Sequence, residues 1–170
     1  MRLAIYAGTF DPITLGHLSV IERGAGLFDG LVVVVAVNPL KTPWFSAEER
    51  VALIEATVRG WPNVSAAFTS GYVVDFARRS GARYLVRGVR SATDAEAEIA
   101  LARLNRELAP EIETVFVPAH PELSEVSSSK LKELAGNGDD LTRYCAPEVA
   151  ELLRRRLVDL FPSNEELGHG

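Results

Sequence analysis

The sequence predicts a doubly wound α/β domain, a five-stranded parallel sheet with helices on both faces. Two observations carry that prediction. The run Leu31-Val32-Val33-Val34-Val35-Ala36-Val37 is apolar throughout and rich in β-branched residues, as befits a strand covered by helices on both sides. Short apolar runs also alternate with helical patterns through about five units, a succession that right-handed crossovers turn into one sheet with its functional loops at the strands' carboxyl ends.

Taken in order, Leu3 to Tyr6 reads as the first strand, and the stretch Gly8 to Gly16 as a turn into a helix that begins near Thr14 or Gly16 and ends around Gly26 to Phe28. Asp29-Gly30 turns into the second strand, Leu31 to Val37, and Asn38 to Phe45 is a loop leaving the sheet. Ser46-Ala47-Glu48-Glu49 has the form of a capping box opening a helix from Arg50 to Val58, with Val51, Leu53, Ile54 and Val58 as its core stripe. Val64 to Thr69 is a third strand, Tyr72 to Ser80 a short helix, and Ala82 to Val86 a fourth strand followed by the loop Arg87-Gly88-Val89-Arg90-Ser91. A long helix from about Thr93 to Leu108 lines up Ala97, Leu101, Leu104 and Leu108 on one face, and Pro110 stops it. Glu113 to Val117 is a fifth strand and Ser127 to Leu134 a short helix. A last helix from Pro147 to Leu160 turns Val149, Leu153, Leu157 and Leu160 inward, with Arg154-Arg155-Arg156 mostly in solvent. The elements are expected to form a single Rossmann-like domain over residues 1–161, with 162–170 expected to be a flexible tail.

Bulk composition narrows the function. Lys and Arg number 18 against 23 Asp and Glu, a net charge of −5 that argues against a broad nucleic-acid footprint. The longest apolar run is too short to span a bilayer, and the first residues lack a signal peptide's apolar region, so the expected location is the cytoplasm. Cys145 is the one cysteine, expected to be a buried structural thiol in a reducing compartment. The three histidines, His17, His120 and His169, lack metal-ligand spacing, and the last two are expected in solvent. Neither a P-loop, nor Gly-x-Gly-x-x-Gly in the first turn, nor a Gly-x-Ser-x-Gly elbow is present.

Four stretches after four strands carry the chemistry: Gly8-Thr9-Phe10 with His17, then Asn38 to Lys41, then Arg87 to Arg90, then Leu123 to Ser129. Gly8 permits close backbone approach, and the first helix aims its free N–H groups at the strand end, where His17 can reach a phosphoryl oxygen. Arginine grips phosphate with two parallel hydrogen bonds, lysine adds a mobile charge, and serine hydroxyls at a helix start hold further oxygens. Taken singly each has a bland explanation, such as Ser127 capping a helix. Together on one edge they predict a ligand with several phosphates.

These residues resemble the nucleotidyltransferases whose first strand is followed by a His/Thr-x-Gly-His motif, here Thr14-Leu15-Gly16-His17. In order and spacing the chain is most similar to the bacterial phosphopantetheine adenylyltransferases: Tyr6 to His17, the Lys41 loop, Phe45-x-x-Glu48-Glu49-Arg50, Val86 to Arg90, Asp94-x-Glu96-x-Glu98, Asn105-Arg106 and Val126 to Ser129 follow their pattern from about Arg2 to about Leu157. Ala7 stands where proline is usual, and Ala95, Ala97, Leu123 and Glu125 where aromatic residues are usual.

The resemblance implies transfer of the AMP part of ATP to 4′-phosphopantetheine, without a covalent intermediate, with magnesium carried by the ATP phosphates and no protein metal ligand. By motif position it makes His17, Lys41, Thr9 and Arg90 catalytic. ATP would meet Thr9, Phe10, His17, Gly88, Val89, Arg90, Glu98 and the run Leu123, Ser124, Glu125, Val126, Ser127, Ser128, Ser129. The phosphopantetheine would meet Thr9, Lys41, Val73 and Arg87. It further implies a homohexamer built as a dimer of trimers and feedback inhibition by coenzyme A. A related adenylyltransferase for nicotinamide mononucleotide would usually carry a serine-threonine pair followed by arginine, whereas Ser128-Ser129 is followed by Lys130. The substituted aromatic positions leave open a nucleotide- or coenzyme-A-binding protein without catalysis, against which the retention of His17, Lys41 and Arg90 speaks, since binding alone needs no transition-state contacts.

Overall fold

The computed structural model describes residues 1–162; the expected tail beyond Pro162, with His169, lies outside the described residues. Five strands, β1 (Leu3–Gly8), β2 (Gly30–Ala36), β3 (Val64–Thr69), β4 (Tyr84–Val89) and β5 (Glu113–Pro118), form one sheet in the order β3-β2-β1-β4-β5. Every pairing is parallel. The chain therefore winds outward from β1 to β3, returns to the far side of β1, and winds outward again. The reversal leaves a crevice between the carboxyl ends of β1 and β4.

Successive residues along the central strands face opposite layers, as strand geometry requires. Ala4, Tyr6, Val33, Val35 and Val86 join one buried cluster with Val20 and Ile21 of α1 (Leu15–Leu27), Leu53 and Ile54 of α2 (Ala47–Thr57), Leu131 of α5 (Ser128–Gly136), and Val149 and Leu153 of α6 (Pro147–Leu160). Ile5, Ala7, Val34 and Leu85 join the other with Val74 and Ala77 of α3 (Val73–Ser80) and Ala109 just after α4 (Ala92–Leu108). Cys145 is buried in the first cluster, and burial raises its thiol pKa to about 11, so it is an inert packing residue.

Helix ends follow local chemistry. Ser46 and Glu49 cap α2 reciprocally, through Glu49 N to Ser46 Oγ at 3.1 Å and Ser46 N to Glu49 Oε2 at 2.8 Å. The structure revises several sequence readings. Arg87, Gly88 and Val89 belong to β4 and pair with Phe116, Val117 and Pro118, so the expected Arg-Gly-x-Arg loop is a strand end with Arg90 just beyond it. Leu160 is exposed, because α6 has left the core by its last turn. Arg156 is half-buried, paired with Glu49 and stacked 5.1 Å from the Phe45 ring centroid. α4 buries none of its residues; Leu101, Leu104 and Leu108 stay exposed.

Candidate active site

The first turn is held by its own side chains. Phe10 adopts φ +48°, in the left-handed region, at a cost on the order of 1–2 kcal/mol, and buries its ring against Tyr6 and His17 with centroid separations of 5.3 and 4.9 Å. That ring, and not a ligand, is what Gly8 accommodates: a Cβ at position 8 would stand 3.0 Å from the Phe10 ring. Phe10 thus serves as a support for the imidazole.

Thr14-Leu15-Gly16-His17 is a capping box whose third helical position is histidine. The Thr14 hydroxyl accepts from the His17 amide at 3.3 Å, and the Thr14 amide donates to His17 Nδ1 at 3.0 Å. Because Nδ1 accepts that bond, a neutral ring carries its proton on Nε2. Burial, reinforced by the nearby Arg90 guanidinium, lowers the His17 pKa from 6.5 to about 4, so the ring is neutral at pH 7. The motif therefore presents a fixed, uncharged N–H donor.

That donor lines a pocket of about 180 Å³ between β1 and β4, with Gly88, Arg90, Asp94, Leu123, Ser127 and Ser128 on its walls. Arg90 sits at the mouth, held by Asp94, whose carboxylate accepts from the Arg90 amide at 2.9 Å and pairs with its side chain at 3.6 Å. Tyr6 lies beneath, its hydroxyl kept protonated by burial. Ser127 caps α5 by accepting from Lys130 N at 3.1 Å, and Ser128 donates to the Pro12 carbonyl at 2.8 Å, fastening α5 to the first turn. Ser128 also lines a second cavity, shared with Thr9, Lys41, Ser129 and Lys132, so the two spaces adjoin. Two lysines and several hydroxyls meet there, in keeping with a chain of phosphates.

A third space, about 610 Å³ and mostly apolar, lies on the other side of β1 and β4, walled by Val73, Val74, Leu101, Leu104 and Leu108. Ala7 and Arg87 line both this groove and the histidine pocket. Arg87 is already engaged: Nε and one terminal nitrogen meet Glu98 at 2.6 and 2.7 Å, and the other terminal nitrogen donates to the Ala7 carbonyl at 2.7 Å. Burial opposes the guanidinium charge, yet Glu98 outweighs it and the pKa rises.

Residues 5–134 match the cytidylyltransferase-like family. The chain is 46% identical over 159 residues to the phosphopantetheine adenylyltransferase of Limosilactobacillus reuteri (strain DSM 20016), which covers 94% of this chain and 92% of the relative. It is 44% identical over 153 residues to that of Lachnoclostridium phytofermentans, with 90% and 94% covered. The chain belongs to the phosphopantetheine adenylyltransferase family. A solved structure from Vibrio parahaemolyticus, described as a candidate nicotinate-nucleotide adenylyltransferase, shares the fold, with TM-score 0.67 at 24% identity over 91% of this chain and 93% of that one.

The residues expected from family resemblance fall into these spaces unevenly. His17, Gly88, Arg90, Glu98, Leu123, Val126, Ser127 and Ser128 surround the first pocket; Thr9, Lys41 and Ser129 line the second, and Val73 the third. Ser124 turns its hydroxyl onto the Pro121 carbonyl at 2.8 Å, closing a short 3-10 turn, Pro121–Leu123, that sequence did not reveal. Glu125 is exposed, and Val89 is half-buried in the last β4–β5 pair. Glu98, expected beside nucleotide, is first the partner of Arg87. Sequence reasoning gave no role to Asp94, Asp11 and Arg50, although they fall within the family's motifs, and it missed Lys132. Arg50 is buried and donates to the Thr9 carbonyl at 2.9 Å; only its place in the Phe45-x-x-Glu-Glu-Arg pattern hinted at it.

Proposed function

We propose that this protein transfers the adenylyl group of ATP to 4′-phosphopantetheine, giving dephospho-coenzyme A and pyrophosphate, the penultimate step of coenzyme A synthesis. The observation that carries this reading is the adjacency of the three spaces: an apolar groove meets a polyphosphate-type site at Arg87, so an acceptor with an alkyl-amide arm and a terminal phosphate would deliver that phosphate beside His17.

In this reading Gly88, Val89 and Arg90, with Glu98 and the Leu123 to Ser129 stretch, border the nucleotide. Val73 lines the path of the pantetheine arm, and Arg87 takes the acceptor phosphate in exchange for part of its hold on Glu98. An acceptor phosphate oxygen attacks the α-phosphorus, the bond to the bridging oxygen of the β-phosphate breaks, and pyrophosphate leaves. A phosphate monoester with a second pKa of about 6 is mostly dianionic at neutral pH, so no protein base has to remove a proton. Catalysis then rests on alignment and on charge stabilisation. The neutral Nε2–H of His17 donates to the α-phosphoryl oxygen as negative charge grows there, while Thr9 and Lys41 align the nucleophile and Arg90 and the α5 start hold the departing phosphates.

Among the described residues no group of three or more His, Cys, Asp or Glu could hold a metal ion. Magnesium in this reading travels on the ATP phosphates, where it neutralises charge. Coenzyme A shares the pantetheine arm and the adenylyl group with the reactants and would inhibit by filling the same spaces. No helix among the described residues is long and apolar enough to cross a membrane. The proposed setting is the cytoplasm, and the proposed assembly a homohexamer arranged as a dimer of trimers.

The test is pyrophosphate release from ATP and magnesium with 4′-phosphopantetheine, using nicotinamide mononucleotide and glycerol phosphate as control acceptors. Release with the pantetheine phosphate alone is expected; release with a control acceptor instead, or with none, overturns the assignment.

A further inference from the structure

Lys41 hangs on an exposed loop, Asn38 to Phe45, and a flexible lysine on a free loop could not align a nucleophile. The loop is tied at both ends. At its start Asn38 forms a turn, its side chain accepting from Leu40 N at 2.9 Å and its carbonyl from Lys41 N at 3.1 Å. At its end the carboxylate of Asp11 accepts from Trp44 N and Phe45 N, each at 3.0 Å. Asp11 is 5% exposed and also pairs with Lys132 of α5, whose ammonium stands 4.9 Å from the Trp44 ring centroid.

Resting on the proposed role of Lys41, we propose that Asp11 is a positioning residue for adenylyl transfer: its carboxylate fastens the Lys41 loop and α5 to the first turn. A carboxylate is an odd choice for a cavity that receives phosphates, because it repels them. It is also the side chain that can accept two backbone N–H bonds and an ammonium at once. Lys132 resolves the conflict by cancelling the charge, leaving Lys41 and the serines as the groups the phosphates meet. Asp11 acts through Lys41 and does not touch the reacting atoms.

The experiment is a cycle of Asp11→Ala, Asp11→Asn and Lys41→Ala, each measured for kcat, for KM of ATP and 4′-phosphopantetheine, and for thermal midpoint. A misplacement near 1 Å can cost about 100-fold in rate, so Asp11→Ala should lower kcat/KM for the acceptor by about that factor, with KM for ATP little changed. In the Lys41→Ala background the same substitution should cost less than about threefold, since there is no lysine left to misplace. Asp11→Asn keeps an accepting oxygen and should recover part of the loss; it carries the comparison if the alanine variant does not fold. Acrylamide quenching of Trp44, read with Trp61 replaced by Phe, should increase in both Asp11 variants as the loop loosens. Equal losses with and without Lys41, or a rise in KM for ATP as large as the fall in kcat, overturn the proposal and leave Asp11 a stability residue. Full activity of Lys41→Ala by itself overturns the role assigned to Lys41, a separate failure.

Discussion

At the scale of single residues, His17 shows how one motif serves structure and chemistry together. The same ring that caps α1 through Nδ1 is left with its Nε2–H for the pocket, and burial keeps it uncharged. The pH consequence follows from the direction of the shift. The unfolded chain protonates this histidine as pH falls below about 6.5, whereas the folded chain resists until about 4, so the native state loses stability on acidification across that window and its contribution is complete above it. We expect the thermal midpoint of the native protein to fall more steeply from pH 6.5 to 4 than that of His17→Ala. The same variant should lose about 100-fold or more in kcat while its ATP affinity changes little, as for removal of one donor to a developing oxyanion. Parallel losses in both, measured by turnover and by equilibrium binding, would reduce His17 to a substrate ligand.

Between elements, the site depends on how closely β4 lies against α1. A Cβ on Gly88 would stand 3.0 Å from Val20 Cγ2, and a stiff β-branched side chain cannot step aside. Gly88→Ala should therefore push β4 from α1, lowering stability by about 1–3 kcal/mol in chemical denaturation and reducing turnover by separating Arg90 from His17. Legibility divides along the same line. The central strands were readable because full burial leaves an uninterrupted apolar run, and the capping boxes because they are local four-residue chemistry. The strand end at Arg87 to Val89 was not, since a strand leaving the covered middle of the sheet can carry polar side chains and glycine, which in one dimension look like a turn. Asp11, Lys132 and Arg50 were hidden for another reason. Their partners lie 33 to 121 positions away, and no local pattern announces such pairs.

For the whole molecule, two layers on one sheet are not equally complete. One side of the sheet is covered by α1, α2, α5 and α6, while on the other α4 contributes no buried residue and shows Ile99, Leu101, Leu104 and Leu108 to the outside. Exposed apolar surface of that kind marks a contact face, which suits the proposed hexamer. Leu104→Lys should shift sedimentation toward smaller species, and its KM for 4′-phosphopantetheine should rise more than its KM for ATP. The reason is the groove wall. Leu101, Leu104 and Leu108 line the apolar space, yet all three remain exposed within one protomer and their helix buries no residue. Such a helix opens first in local unfolding, so its amides should be among the earliest to exchange with solvent. In the proposed assembly, neighbouring protomers would supply the backing that α4 lacks. The acceptor's affinity would then depend on protein concentration, whereas the nucleotide's would not.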